Sequence, residues 1–225
     1  MMKILENIDA VIFDMDGTLL DSMWIWPSID DEFLEKYHLS MPERFQEGME
    51  GKSYPETAQY FIDLFPSLKR TKEEIMDEWN QMAHEKYILE VSVKAGAKKF
   101  ITTIRKSGIK TGIATSNSRF LVNDTLKAHG MKEMFDSVRT SCEAGAGKPA
   151  PDVYLMVASD LAVSPSRCLV FEDVPMGILA GKNAGMKTCA VEDEFSRPQR
   201  NKKRELADYY INDFNDIING TYEVL

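Results

Sequence analysis

The chain has 225 residues, of which 44% are hydrophobic and 28% are charged, and its net charge is −9. This composition is typical of a soluble globular protein with one substantial domain, or with a core and a smaller inserted module. The acidic balance argues against a nucleic-acid partner, which needs a basic surface, and no apolar run approaches the ~20 residues of a membrane span.

The first predicted element is a buried strand at residues 10–13, whose sequence AVIF is apolar throughout and is followed by DMDGT. A continuous apolar strand that ends in carboxylates and a glycine is typical of a central parallel strand. Similar strands follow much later, with helical patterns between them. The later strands are predicted at 110–115, 168–171 and 187–191, and the helices at 97–107, 120–129, 152–160 and 176–184. This alternation indicates βαβ crossovers, and hence an α/β fold with a doubly wound parallel sheet.

Residues 22–92, between the first strand and the others, contain no convincing strand and three helical patterns. Thr71 and Glu74 have the spacing of a capping box at the start of the third helix. We therefore expect an all-helical insertion directly after the first strand. The predicted helices are 29–37, 55–65 and 72–87, and the core is predicted to consist of 1–21 and 93–225, with a short strand at 209–211 and a closing helix at 214–218.

Asp14 and Asp16, just past the first strand, are the strongest chemical signal in the chain. Ligands of open α/β sheets bind at the carboxyl ends of the strands. Phosphoryl transfer needs an anionic nucleophile, a cation against repulsion between anions, and a proton for the leaving group. Asp14 can supply the nucleophile, and Asp16 can protonate the leaving oxygen and later activate water. An isolated D-x-D is more often a capped loop, but the preceding strand and the following GTLLDS favour chemistry.

A second acidic pair, Glu172 and Asp173, follows another predicted strand. By itself such a pair more often caps a helix. If these side chains meet Asp14 in the fold, they offer the hard oxygen ligands that magnesium prefers. The position of the pair after a late parallel strand therefore favours a Mg²⁺ site.

Thr115, Ser116 and Asn117 end the strand at 110–115 and open a helix. Hydroxyl and amide groups at such a junction suit an anionic oxygen, although N-capping explains each residue singly. Lys148 lies among glycines and prolines that would fix the path of its backbone. A lone Lys is usually solvated, whereas this one would balance carboxylate and phosphate charges if its loop faces the site.

Together these four segments resemble the motifs of the haloacid dehalogenase superfamily, in its phosphatase and β-phosphoglucomutase-like branch. The order is the same: D-x-D-G-T, a Thr or Ser after a strand, a Lys before Pro, and an acidic pair. Each motif is modest, but four in the correct order across most of the chain are highly specific. The resemblance implies a Rossmann-like core, and it implies that residues 22–92 form a cap that closes over the site.

The resemblance also implies a role for each acidic residue. Asp14 would be the nucleophile that forms an aspartyl phosphate, and Asp16 the general acid and base. Mg²⁺ would be bound by the Asp14 carboxylate, the backbone carbonyl of Asp16 and Asp173, with Glu172 assisting nearby.

For the remaining core residues, the resemblance implies contacts with the phosphate. Thr115 and Lys148 would hold it, together with the backbone around Ser116 and Asn117. The implied activity is magnesium-dependent hydrolysis of a small phosphorylated metabolite, with sugar phosphates among the candidates.

Lys52 and Tyr54 are predicted substrate contacts in the insertion. They lie in the stretch Gly51-Lys52-Ser53-Tyr54, which matches a G-x-S-R stretch of β-phosphoglucomutase-like proteins. In those proteins the Arg holds a second phosphate, and Tyr cannot replace a bidentate cation. The pattern therefore favours a phosphatase and leaves the phosphosugar mutase as the alternative.

Trp24 is the third predicted substrate contact, since it follows the catalytic loop by a few residues, as does Trp26. Trp79 lies at helical spacing and is assigned to the hydrophobic core. Two other branches of the superfamily fit less well. Dehalogenases lack the second Asp, which is present here as Asp16. Phosphonate-cleaving members use a cap Lys, and nothing marks Lys52, the nearby candidate, as buried.

A non-catalytic binding or regulatory protein on the same scaffold is the alternative of another class. Such a protein would have little reason to keep Asp14, Asp16, Lys148 and Asp173 together. The three cysteines form no C-x-x-C pair, which suits a reducing cytosol, and the N-terminus becomes acidic too early for a signal peptide. We therefore expect a cytoplasmic protein without a membrane anchor, and no protein partner is evident.

Overall fold

A computed structural model describes residues 3–43, 45–49 and 52–225. Gly51, the first residue of the Gly-Lys-Ser-Tyr stretch, lies outside the described residues. In the described ranges, none of the helices combines the length and the hydropathy of a membrane span.

The strands form one large and one small sheet. In chain order they are β1 (Ala10–Phe13), β2 (Leu20–Asp21), β3 (Ser92–Val93), β4 (Lys110–Thr115), β5 (Ser137–Thr140), β6 (Cys168–Glu172), β7 (Lys187–Val191), β8 (Tyr209–Ile211) and β9 (Glu223–Val224). The large sheet has seven strands in the order β5-β4-β1-β6-β7-β8-β9. Its pairs are parallel except for β8 with β9.

The α-helices of the described residues connect and cover these strands. They are α1 (Ile25–Lys36), α2 (Phe45–Met49), α3 (Tyr54–Leu64), α4 (Lys72–Leu89), α5 (Ala97–Lys106), α6 (Arg119–Ala128), α7 (Ser141–Ala144), α8 (Asp152–Asp160), α9 (Pro175–Asn183), α10 (Arg200–Leu206) and α11 (Phe214–Asn219).

Both faces of the large sheet are covered, as the central strand shows. Successive side chains of a strand point to opposite faces. Val11 and Phe13 of β1 belong to one hydrophobic cluster, which includes buried residues of α5 and α11. Ala10 and Ile12 belong to a second cluster with residues of α8 and α9. The prediction of a doubly wound α/β fold is confirmed.

The sequence did not predict β5, which carries Ser-Val-Arg-Thr at the edge of the sheet. An edge strand needs little apolar sequence, because it pairs on one side only. β5 therefore lacks the apolar run by which the central strands are recognised.

In the sequence, the helices α1 to α4 lie between β2 and β3, the two strands of the small sheet. They form the helical insertion. β2 and β3 are antiparallel, and they pair Leu20 with Val93 and Asp21 with Ser92. The predicted helices match α1, α3 and α4 within a few residues, whereas the short α2 was not predicted. The boundaries of a separate domain at residues 22 and 92 stay a prediction.

The longest helix of the insertion, α4, packs on α6 of the core. The Ser118 hydroxyl donates to Oδ1 of Asn80 at 2.6 Å. Nε2 of His84 lies 2.9 Å from Oδ2 of Asp124. The insertion therefore contacts the core through its own side chains, in addition to the two connecting strands.

Candidate active site

The carboxyl ends of β1, β4 and β6 bring the predicted site residues together. β1 lies between β4 and β6, and Phe13 is in register with Phe171. Asp14 follows β1 directly, and its backbone N–H donates to the carbonyl of Phe171 at 3.0 Å. Because neighbouring parallel strands end at the same edge, Asp14, Thr115 and Glu172 lie side by side.

Lys148 is the buried cation at this edge, with 5% of its surface exposed. Its Nζ donates to Oδ1 of Asp14 at 2.6 Å, to Oε1 of Glu172 at 2.6 Å and to the carbonyl of Ala114 at 3.1 Å. Burial alone would lower the pKa of Lys148, but Asp14 and Glu172 raise it above its ordinary value. The ammonium therefore stays charged and balances part of the acidic cluster.

Three buried carboxylates, those of Asp14, Glu172 and Asp173, each place an oxygen within 4.8 Å of the others. Burial raises the pKa of both Asp14 and Asp173, and Glu172 raises both further. Lys148 opposes the shift at Asp14. The three carboxylates therefore cannot all stay ionised beside a single ammonium, and either protons or a bound cation must balance their charge.

Asp173 has the features of a metal ligand. Its Oδ1 accepts a hydrogen bond from the Thr18 hydroxyl at 3.1 Å, whereas its Oδ2 is buried and has no hydrogen-bond partner among the described residues. Gly17, at φ +75°, lies so close that a Cβ there would come within 2.2 Å of Oδ2. An unpaired buried carboxylate oxygen in a cluster of hard oxygen donors fits Mg²⁺.

Glu172 holds other groups in place with both of its oxygens. Oε1 accepts from Lys148 and, at 2.6 Å, from the hydroxyl of Tyr154. Oε2 accepts from the backbone N–H of Asp173 at 3.2 Å. A Cβ at Gly177 would overlap this carboxylate. Glu172 therefore positions Lys148 and adds charge next to the candidate metal ligands.

The Asp16 side chain points away from that carboxylate cluster, toward the helical insertion. Its Oδ1 accepts from the hydroxyls of Ser22 at 2.6 Å and of Tyr87 at 2.5 Å. Its Oδ2 accepts from Nδ2 of Asn117 at 2.9 Å. Of the oxygen atoms of Asp16, the backbone carbonyl alone remains a candidate metal ligand, as the resemblance implies.

Tyr87 is a site residue that the sequence analysis missed. It lies in α4 and is fully buried, so its sequence pattern is that of an ordinary core aromatic residue. Its contact with Asp16 joins residues 71 positions apart in the sequence. No local pattern distinguishes such a residue from others in the hydrophobic face of the helix.

Thr115, Ser116 and Asn117 follow one another where β4 ends. Oγ1 of Thr115 accepts from the backbone N–H of Asn117 at 3.1 Å, and Oγ of Ser116 lies 3.4 Å from Oγ of Ser141. Oδ1 of Asn117 accepts from the backbone N–H of Ser118 at 2.7 Å. The Asn117 side chain and the Thr115 hydroxyl are therefore both engaged within the protein.

A cavity of about 440 Å³ separates the insertion from this edge of the sheet. Lys52 and Tyr54 line it from the side of the insertion. All of the predicted core residues line it as well: Asp14, Asp16, Thr115, Ser116, Asn117, Lys148, Glu172 and Asp173.

The tryptophans are arranged differently from the prediction. Trp24 is 42% exposed, donates through Nε1 to the carbonyl of Asp21 and is not among the described residues that line the cavity. Its position therefore gives no support to a substrate contact. Trp26 lines the cavity, as expected, and so does Trp79, which is also buried in the core of the insertion.

Residues of the core segment 193–199 also line the cavity, although the sequence pattern did not predict that this segment is part of the site. Phe195, Ser196, Pro198 and Gln199 all border the open space. The segment reads DEFSRPQ, which has the composition of an ordinary polar loop. It enters the site because β7 ends at the same edge as β1 and β6.

The sequence matches the family of haloacid dehalogenase-like hydrolases over residues 11–191. The chain belongs to this family. The resemblance inferred from the four motifs is thereby confirmed.

Relatives within the family differ in the activities for which they are named. The bifunctional riboflavin kinase/FMN phosphatase of Arabidopsis thaliana is 30% identical over 212 residues, which are 92% of this chain and 54% of that protein. The mitochondrial (DL)-glycerol-3-phosphatase 1 of the same species is 31% identical over 199 residues, 83% of this chain and 65% of that protein. The chain thus spans between half and two thirds of these longer relatives.

The fold also resembles that of CbbY from Rhodobacter sphaeroides, solved in complex with phosphate. The TM-score is 0.79 at 22% identity, and the match covers 93% of this chain and 96% of that one. At this identity the likeness establishes the shared fold.

We expect Mg²⁺ to raise the thermal stability of the protein through Asp14, Glu172 and Asp173. A ligand at a hundred times its Kd stabilises the folded state by about 2.7 kcal/mol, or roughly 5–10 °C for a chain of this size. Asp173→Asn should abolish the shift without lowering the metal-free melting temperature, because it relieves repulsion between buried carboxylates. Calorimetry in EDTA and in Mg²⁺ measures both values.

Asp63→Asn is the matched control, since Asp63 is an exposed carboxylate of α3 outside the cavity. This variant should keep the full Mg²⁺ shift. Equal shifts in Asp173→Asn and in the unaltered protein would contradict a metal site at these residues.

Proposed function

We propose that the protein is a magnesium-dependent phosphatase that hydrolyses a small phosphomonoester through an aspartyl phosphate on Asp14. One observation carries the proposal: the Asp14 carboxylate borders the cavity, is held by Lys148 at 2.6 Å, and lies beside Glu172 and Asp173. Membership of a hydrolase family and relatives named as phosphatases support it.

In the proposed reaction, Lys148 orients one oxygen of Asp14, and the carboxylate attacks phosphorus. The bond from phosphorus to the leaving oxygen breaks, and Asp16 gives that oxygen a proton. Asp16 then takes a proton from water, whose oxygen attacks the aspartyl phosphate, so that inorganic phosphate leaves and Asp14 is restored. The hydroxyls of Thr115 and Ser116 contact the phosphate oxygens.

The metal has a limited part in this scheme. Mg²⁺ held by Asp14, Asp173 and the backbone carbonyl of Asp16, beside Glu172, would supply positive charge against the repulsion between carboxylate and phosphate. The residues present fit such an ion, because they are hard oxygen donors around an unpaired oxygen.

We also propose that residues 22–92 act as a cap over a core of 1–21 and 93–225. The contact from Tyr87 of α4 to Asp16 supports this role, because it links the insertion directly to the acid–base residue. The substrate would be a small phosphorylated metabolite that enters between the two parts. A cytoplasmic location remains a prediction from the cysteine pattern.

The first test is Asp14→Asn, which keeps the shape of the side chain but removes the attacking charge. Phosphate release from p-nitrophenyl phosphate with Mg²⁺ should fall at least about a thousandfold. Asp21→Asn, an exposed acid near the same loop, should retain activity. Near-normal release from Asp14→Asn, with contamination excluded, would refute the proposed nucleophile, and inactive unaltered protein would favour a non-catalytic role.

The second test concerns Tyr87, whose hydroxyl helps to hold Asp16. Tyr87→Phe removes this donor and keeps the ring, so kcat should fall about tenfold, as expected for the loss of one charge-assisted hydrogen bond. Tyr37→Phe is the matched control: Tyr37 donates to Glu78 within the insertion and does not line the cavity. An equal kcat in both variants would show that Tyr87 has no part in positioning Asp16.

The alternative function is that of a phosphosugar mutase, and Tyr54 argues against it. A mutase must hold a second phosphate under the cap, which requires a fixed cation. Burial raises the pKa of Tyr54, so its hydroxyl stays neutral, and the ring packs between Trp26 and Trp79. Among the described residues that line the cavity from the insertion, Lys52 is the one cation.

The mutase is tested with β-glucose 1-phosphate and a trace of the bisphosphate. We expect free phosphate or no reaction, because a second phosphate would be left without a bidentate partner. Glucose 6-phosphate and free phosphate are followed in parallel. Glucose 6-phosphate that forms much faster than free phosphate would replace the phosphatase proposal with the mutase.

A further inference from the structure

Away from the catalytic carboxylates, the cavity walls are mainly apolar and aromatic. Trp26, Tyr54 and Trp79 line it from the insertion. The ring centroids of Trp26 and Tyr54 are 6.0 Å apart and those of Tyr54 and Trp79 5.7 Å apart, both in edge-to-face geometry. Phe195 and Pro198 line it from the core. A volume of about 440 Å³ lies within the range of sites that enclose ring-sized ligands.

Most polar side chains on these walls have partners within the protein, whereas Nε1 of Trp79 has no hydrogen-bond partner among the described residues. The Thr57 hydroxyl donates to the carbonyl of Ser53 at 3.2 Å, and the Ser196 hydroxyl accepts from Lys203 at 2.8 Å. The other engaged polar residues of the lining include Asn117, Asp30 and Gln199.

This arrangement discriminates between two kinds of leaving group. A polyol gives up hydrogen bonds to water when it enters the cavity, and each unmatched hydroxyl is unfavourable. A planar ring instead buries apolar surface and contacts aromatic side chains. Both the burial and the aromatic contacts favour binding.

Positive charge in the cavity is limited to two lysines among the described lining residues. Lys148 is bound to Asp14 and Glu172. The ammonium of Lys52 lies 5.7 Å from the ring centroid of Tyr60. Lys52 can therefore contact one polar substituent of a ring, whereas most of the other polar side chains in the described lining are already bound within the protein.

Hydrogen bonds to other core residues hold the segment that carries Phe195 in place. Asp193 accepts from Lys94 at 2.5 Å and from the backbone N–H of Phe195 at 2.9 Å. Lys203, which is fully buried, donates to Ser196 and, at 3.0 Å, to the carbonyl of Val191. The Phe195 ring is nevertheless 45% exposed. A fixed backbone thus presents an aromatic ring to the cavity.

We propose that the leaving group of the substrate carries a planar aromatic heterocycle, and that Phe195 is a residue that selects it. The proposal rests on the phosphatase function proposed above. Phe195 would cover one part of the ring from the core, and the tryptophan-rich wall of the insertion would cover another.

The test compares kcat/KM for pyridoxine 5′-phosphate, glycerol 3-phosphate and acetyl phosphate, with phosphate release as the readout. We expect pyridoxine 5′-phosphate to exceed glycerol 3-phosphate at least about tenfold. Phe195→Ala should lower that ratio about tenfold, because it removes one aromatic contact together with its buried area. Phe195→Tyr keeps the ring and should retain the ratio.

Leu155→Ala is the control for truncation of an exposed apolar residue, since Leu155 is 39% exposed on α8 and does not line the cavity. It should leave all three values unchanged. A preference for glycerol 3-phosphate, or an equal loss on all substrates in Phe195→Ala, would overturn the ring proposal while the phosphatase stands. Absence of phosphate release from every substrate, acetyl phosphate included, would overturn the proposed function itself.

Discussion

The buried ammonium of Lys148 is the interaction on which the site depends. Its three acceptors come from three neighbouring strand ends: Asp14 follows β1, Ala114 belongs to β4 and Glu172 ends β6. Buried carboxylates so close together repel one another unless a cation lies among them. Lys148 can reach all three acceptors only when the strands keep their order and register. The charge balance of the site therefore depends on the order and register of the strands.

Much of this edge could be predicted from the sequence, because the central strands are apolar throughout and end in polar residues. The contacts between distant segments could not. Tyr87 has the pattern of a core residue, and only the packing of α4 brings it to Asp16. Trp24 directly precedes α1 and Trp26 lies in its first turn, and two residues of helical backbone correspond to about 200° of rotation, so the two side chains point in different directions. A sequence motif locates strand ends well and side-chain directions poorly.

The candidate site is divided between core and insertion in a particular way. The core holds Asp14, the proposed nucleophile, and its charge partners. The insertion contacts Asp16, the proposed acid and base, through Tyr87 and supplies an aromatic wall. Asn80 and His84 bind the same helix α4 to α6. Because α4 also carries Trp79 of the aromatic wall, a shift of α4 relative to α6 would change both the hydrogen bonding of Asp16 and the shape of the cavity.

The pairing of the two-residue strands β2 and β3 has a consequence for the evolution of the protein. Leu20 pairs with Val93 and Asp21 with Ser92, so the insertion leaves and re-enters the core at adjacent points. The seven strands of the large sheet that the structure describes all lie outside the insertion. A segment whose ends lie side by side can be exchanged for another, of different length, at little cost in chain entropy. The helical insertion can therefore be replaced in evolution without rebuilding the sheet edge at Asp14 and Lys148.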